Sequence, residues 1–245
     1  MKGWDKLKLK AKHSQTEWIE DAKNRAALEA VKHVKNGYVV GLGSGSTASY
    51  AIQEIGKIIR QRNWHILGVP TSHQAFLLGI DCGIPITTLN EHPRLDLTID
   101  GVDQVDHNLD MIKGMGGAST KEKIVALASK QNVIVADETK LVKKLGTNHL
   151  VPLEVLSFAA SVVISKIREM GGKPILRMGS GKVGPVVTDN GNFILDVDFG
   201  SIEAPKELNA ELKFITGVIE TGLFIEIANT VYLGTEKRVQ KLERK

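Results

Sequence analysis

Cysteine is almost absent from this sequence of 245 residues: Cys82 stands alone. A single thiol excludes an internal disulfide framework and fits a reducing compartment. Aromatic residues amount to only 5%, and no stacking platform accompanies the basic residues. The net charge of +4 therefore points to no nucleic acid partner. Much of that charge sits at the ends, in Lys2, Lys6, Lys8, Lys10 and Lys12 and in Lys237, Arg238, Lys241, Arg244 and Lys245, where it serves solvation. No apolar run reaches transmembrane length and the first residues lack the apolar core of a secretory leader, so no membrane partner and a cytoplasmic location are expected. The seven histidines are scattered without H-E-x-x-H or another ligand spacing. Ser72 and His73 have no triad partner in view and read as a polar loop.

What is present is an ordinary globular balance, 42% hydrophobic and 24% charged, on a chain long enough to bury a real core. Helix signals over 16–35, 47–62, 72–82 and 118–130 alternate with strand signals near 38–42, 65–69, 84–88, 95–100 and 132–136. That alternation predicts an α/β fold, a doubly wound Rossmann-like parallel sheet with right-handed crossovers. Beyond Leu150 the pattern changes. A helix from Ser157 to Met170 is followed by short strands near 174–178, 184–188 and 192–196, with Asp189-Asn190-Gly191 as the strongest hairpin turn in the chain. Residues 203–213 read as helical and 217–220 as extended. The expectation is a smaller α+β, ferredoxin-like subdomain over 149–221, with 223–233 returning to the main sheet, so that 1–148 plus 222–245 form the catalytic domain.

The chemistry concentrates in residues 97–124. Leu95, Leu97 and Ile99 alternate with Asp96, Thr98 and Asp100, a period-2 strand. Asp100 and Asp103 follow at its carboxyl end, where open α/β sheets bind ligands. Lys113 then leads Gly114-Met115-Gly116-Gly117, a turn that lets backbone approach a ligand, and a helix beginning near Ala118 carries Glu122. A second strand–glycine–helix passage, Gly41 to Thr47, offers orphan N–H groups and the hydroxyls of Ser44, Ser46 and Thr47 to an anion. It is no dinucleotide fingerprint, because the third glycine falls on Ser46, and no Gly-Lys-Ser/Thr makes it a P-loop.

Taken in order, GLGSGSTA, TSHQA, DGVDQVD, IKGMGGASTKEKIVA, VADETKLV and VTDNGNFILDV resemble the motifs of type A ribose-5-phosphate isomerases, from about Ala22 to about Gly234. The resemblance implies an aldose–ketose isomerase of the non-oxidative pentose phosphate pathway, without cofactor or metal, assembled as a homodimer or homotetramer. It implies Glu122 as general base, with Asp100, Lys113 and Asp103 also catalytic. Substrate binding falls on Ser44, Gly45, Ser46 and Thr47, on Asp100, Gly101, Val102 and Asp103, on Lys113, Gly114, Met115 and Gly116, and on Lys140. Lys23 matches an N-terminal lysine near the substrate only loosely. Gln104 stands where the family has an acid, and Met115 interrupts the glycine run.

The residue types suit that reaction. Moving a proton between adjacent carbons through an enediolate needs a carboxylate base, a cation or N–H donors for the oxyanion, and a group to shuttle protons between oxygens. Two other readings stay open. Ser119-Thr120-Lys121-Glu122 fits a capping box, which would turn Glu122 back onto the Ser119 N–H. Asp100, Asp103, Asp106 and Asp110 could form an oxygen-ligand site, although their spacing fails the EF-hand pattern.

Overall fold

Short apolar strands, buried on both faces, build the central sheet. The computed structural model describes residues 18–244, so the basic N-terminal stretch lies outside the described residues. Strands β1 (Val39–Leu42), β2 (Leu67–Pro70), β3 (Leu97–Asp100), β6 (Asn132–Asp137) and β12 (Thr230–Gly234) run parallel, and β13 (Val239–Glu243) closes one edge antiparallel, in the order β13-β12-β6-β3-β1-β2. Continuous burial along β3 and β6 is the mark of a sheet covered on both sides. Helix α1 (18–31) and α2 (Ser46–Arg62) supply Ala26, Ala30, Ile52 and Ile55 to the core with Val40, Leu42 and Val133. Helix α3 (His73–Asp81) links β2 to β3, and α4 (Ser119–Leu127) links β3 to β6.

After β1 the chain winds to β2 on one side, then returns to place β3 on the other. Their carboxyl ends part at this switch point, which leaves a crevice. The Gly43–Thr47 loop leaves β1 there, and Asp100 ends β3 there.

The second unit is a βαββαβ arrangement of β7 (Val151–Val155), α5 (Ala160–Glu169), β8 (Lys173–Leu176), β9 (Phe193–Asp198), α6 (Pro205–Phe214) and β10 (Val218–Thr221). Its antiparallel order β10-β7-β9-β8 is ferredoxin-like, as expected. The Asp189-Asn190-Gly191 turn delivers the chain into β9, with Gly191 at φ 82°. Buried Glu154 of β7 ties it down, accepting Thr188 Oγ1 at 2.8 Å, Asn190 Nδ2 at 2.9 Å and Asn192 Nδ2 at 2.8 Å, with Thr120 Oγ1 of α4 at 2.5 Å.

Several sequence expectations shrink or shift. The strand near 84–88 is one bridge between Gly68 and Ile86, and 184–188 contributes only bridges at Pro185 and Val187. Pro85 and Pro185 each remove a ladder donor. Leu223–Phe224, expected in the main sheet, is β11 and pairs with β5 (Met111–Ile112), which pairs with β4 (Gln104–Val105) in a separate three-stranded sheet. Strands of two residues are too short to show a period. The antiparallel edge β13 was not anticipated.

Candidate active site

Asp100 is fixed before any ligand arrives. Its Oδ1 accepts the N–H of Ser44 at 3.0 Å and of Gly101 at 2.7 Å, while Oδ2 faces Lys113 Nζ at 3.1 Å in an ion-pair contact. Gly43 permits this, since a Cβ there would lie 2.3 Å from Asp100 Oδ1.

Lys113 stands at the centre. Its Nζ donates to Gly101 O at 2.6 Å and lies 3.3 Å from Glu122 Oε1, and the ring of buried Phe224 lies beneath it, centroid 5.5 Å away. Burial pulls the ammonium down, but Asp100, Glu122 and Asp103 outweigh it and hold Lys113 above the ordinary lysine value. Glu122 is raised as well, but for it burial is the cause rather than the opposing influence. Burial pushes its carboxyl up to about 8, against an opposing pull from Lys113. Its Oε2 is buried with no hydrogen-bond partner.

The capping-box reading fails on geometry. Ala118, not Ser119, is the N-cap of α4, and no side chain caps it. Glu122 thus sits one position too far along to close the box, and it lines the cavity instead. The aspartates likewise divide. Asp103 Oδ2 accepts Met115 N–H at 3.0 Å on the cavity wall. Asp106 caps its own loop through the N–H of Asn108 and Asp110, and Asp110 accepts from Glu226 N and Arg244. Among the described residues, no group of three or more possible ligands is placed to hold a cation. Gln104 is a buried strut: it accepts Gly146 N–H and donates to Thr147 O, each at 2.9 Å.

The opposite end of the crevice suits an anion. Helix α2 begins at Ser46 after Gly45, at φ 93°, with no side-chain cap, so its first N–H groups stay available. Gln74 Oε1 holds Gly45 N–H at 3.0 Å, and Ser44 Oγ lies 2.8 Å from Thr71 Oγ1 and donates to Ser72 Oγ at 2.6 Å. Ser72 in turn caps α3 by accepting Ala75 N–H at 3.1 Å, which accounts for it without catalysis. Lys23 Nζ reaches Ser46 Oγ at 3.2 Å, and Lys140 lies on the wall in the turn after β6.

The acid–base and anion-binding candidates gather around one cavity of about 440 Å³. Lys113, Glu122, Asp103, Gly101, Val102, Gly114, Gly116, Lys140 and Ser44 to Thr47 line it; Asp100 and Met115 stand behind and beside it. Sequence reasoning missed Thr139, Gln74 and Asp189 on the wall. Gln74 lies in the quoted TSHQA motif, but Asp189 read only as a turn residue. Its carboxylate accepts His73 N–H at 2.9 Å and lies 3.7 Å from Lys121 Nζ.

A buried carboxyl with one free oxygen beside a locked ammonium, at the crevice of an α/β sheet, is an arrangement suited to proton transfer. Comparison with known proteins adds the family. The profile described as Ribose 5-phosphate isomerase A (phosphoriboisomerase A) matches residues 67–238, and the chain belongs to that family. The ribose-5-phosphate isomerase A of Methanosarcina acetivorans is 49% identical over 220 residues, which cover 90% of this chain and 93% of that one. The structure of ribose 5-phosphate isomerase A from Methanocaldococcus jannaschii superposes with a TM-score of 0.89 at 45% identity, covering 91% of this chain and 99% of that one. A D-ribose-5-phosphate isomerase solved in complex with phospho-erythronic acid gives a TM-score of 0.90 at 44% identity, covering 92% and 99%. No helix among the described residues is long and apolar enough to cross a membrane.

Proposed function

We propose that the protein interconverts D-ribose 5-phosphate and D-ribulose 5-phosphate through an enediolate, a step of the non-oxidative pentose phosphate pathway. The observation that carries this reading is the unpartnered Oε2 of Glu122, buried in the cavity wall with Lys113 holding the other oxygen. Glu122 takes the proton from one carbon and delivers it to the next. Lys113 and the unpaired amides of the 114–117 turn, Gly114 and Gly116 N–H, hold the oxyanion, and Asp100 moves protons between the two oxygens. Asp103 steadies the turn through Met115 N–H and keeps its other oxygen for a sugar hydroxyl. The phosphate sits at the start of α2 with Ser44, Gly45, Ser46 and Thr47, and with Lys140 and Lys23 beside it. Anchoring there places the reacting carbons against Glu122. The relative solved with phospho-erythronic acid supports a phosphorylated sugar-like occupant.

No metal or cofactor enters this scheme. Assembly as a homodimer or homotetramer belongs to the same reading, supported by Phe158 and Phe214, large apolar side chains 100% and 89% exposed in the single chain.

The test is ribulose 5-phosphate formation by purified protein in excess EDTA, with Glu122→Gln alongside. Wild-type turnover should survive chelation, and the variant should lose about 10²–10⁴ in kcat or more while still binding the phosphosugar. Near-normal turnover in Glu122→Gln removes the base assignment, and loss of wild-type turnover in EDTA removes the metal-free scheme.

A further inference from the structure

The glycine turn that faces the substrate is held from outside by a residue of the ferredoxin-like unit. Arg177 follows β8, where its N–H donates to Ile194 O at 2.9 Å and its carbonyl accepts Val186 N–H at 2.9 Å. Its side chain reaches back to the catalytic unit, and Nη1 donates to Met115 O at 2.9 Å and toward Gly114 O at 3.4 Å. Nε donates to Asp196 Oδ2 at 2.7 Å, and Nη2 pairs with the second oxygen of the same carboxylate. Asp196 is buried in β9. The guanidinium is thus seated on one fork and spends the other on backbone carbonyls.

We propose that Arg177, seated by Asp196, is a positioning residue that sets the oxyanion-facing amide of the turn. The argument rests on the reading that the 114–117 turn serves the reacting oxygen. In a trans peptide the C=O and the following N–H point in opposite directions. Holding Met115 O toward Arg177 therefore turns Gly116 N–H away from it, and Gly116 lines the cavity. Among the described residues, that N–H donates to no protein acceptor, and neither does Gly114 N–H, whereas Met115 N–H is taken by Asp103 and Gly117 N–H by Gly114 O. Gly116 N–H, the amide whose direction Arg177 sets, is thus open to a substrate oxygen. Asp103 and Arg177 grip Met115 from its two sides, one at N–H and one at C=O. A turn with φ of 102° at Gly114 and 78° at Gly117 has little steric restraint of its own, so the grip must come from neighbours.

The test compares Arg177→Ala, Arg177→Lys and Asp196→Asn with wild type and Glu122→Gln, reading kcat, KM and thermal midpoint for each. Arg177→Ala should lower kcat by roughly 10²-fold, the order of one oxyanion donor, while KM moves by much less because the phosphate end is intact. Added guanidinium ion should restore part of that kcat. Arg177→Lys should fall between, since an ammonium cannot bridge Asp196 and two carbonyls at once. Asp196→Asn should follow it in direction, and serves with Arg177→Lys if the alanine variant does not fold. A kcat within about twofold of wild type in folded variants, or a loss that tracks only the thermal midpoint without guanidinium rescue, overturns the positioning role. Activity in Glu122→Gln instead removes the base reading, so the two failures are distinct.

Discussion

Gly43 and Asp100 meet across the switch point with no room between them: a Cβ on residue 43 would stand 2.5 Å from the Asp100 Cα. The close approach lets Ser44 N–H reach the Asp100 carboxylate, so the anion loop and the acid–base cluster share one anchor. Gly43→Ala is expected to destabilise the fold by about 1–3 kcal/mol through overpacking and to lower kcat by displacing Asp100. Thermal melts and initial rates on the same preparation check it; a fully active Gly43→Ala protein would show that Asp100 need not sit where it does.

The rate should depend on Glu122 being ionised. Its carboxyl is pushed up to about 8 in the unliganded protein, so kcat/KM should climb with pH through that value and then level. The second ionisation of a phosphate ester lies near pH 6 and would give an earlier, separate step. Lys113 is held above the ordinary lysine range and stays charged across the window. A kcat/KM unchanged between about pH 7 and pH 9 would contradict a raised base, because that profile reports free-enzyme ionisations.

The same group should leave a mark on stability. Between its ordinary 4.5 and its folded value of about 8, the folded protein keeps a proton that the unfolded chain has lost. The stability Glu122 contributes is therefore fully present below pH 4.5 and is lost as the pH rises through about 8. Glu122→Gln has no such loss. Its thermal midpoint minus that of wild type should grow across this window, and a difference that is flat with pH would count against a buried, neutral carboxyl.

Lys140→Ala should weaken binding of the phosphate end. A hydrogen bond to a charged group is worth about 1.5–3 kcal/mol, roughly ten- to a hundredfold in affinity. The rise in KM should exceed the fall in kcat, and raising the salt concentration should narrow the gap between variant and wild type. Titration with inorganic phosphate as competitor separates this anchor from the reacting centre. Equal inhibition of both proteins would move the phosphate away from Lys140.

Much of the site was legible because its parts follow one another. Asp100, Asp103, Lys113, the glycine turn and Glu122 lie within one strand–turn–helix passage, and strand alternation plus glycine placement suffice to bring them together. Direction was less legible. Whether Glu122 closed a capping box depended on which residue became the N-cap, and Ala118 took that place over Ser119. Which carboxyl would rise was also invisible, since burial above all, with Asp100 and Asp103 adding to it, lifts Glu122. Long-range partners left no local sign. Arg177 and Asp189 come from the second unit, and only the folded chain brings them beside Met115 and His73. The parallel sheet showed through its alternating elements, whereas two apparent strands, interrupted by Pro85 and Pro185, were reduced to isolated bridges.

Glu154 makes the roof and the floor of the cavity one mechanical body. The hairpin that carries Asp189 to the rim and the helix that carries Glu122 end on the same carboxylate, through Thr188, Asn190 and Asn192 on one side and Thr120 on the other. The hairpin cannot swing outward alone; it must release several hydrogen bonds together or drag the first turn of α4, and the base with it. Motion of the rim and aim of the base are then a single coordinate, and a loosened hairpin would be felt as a misdirected proton transfer before it was felt as a wider door.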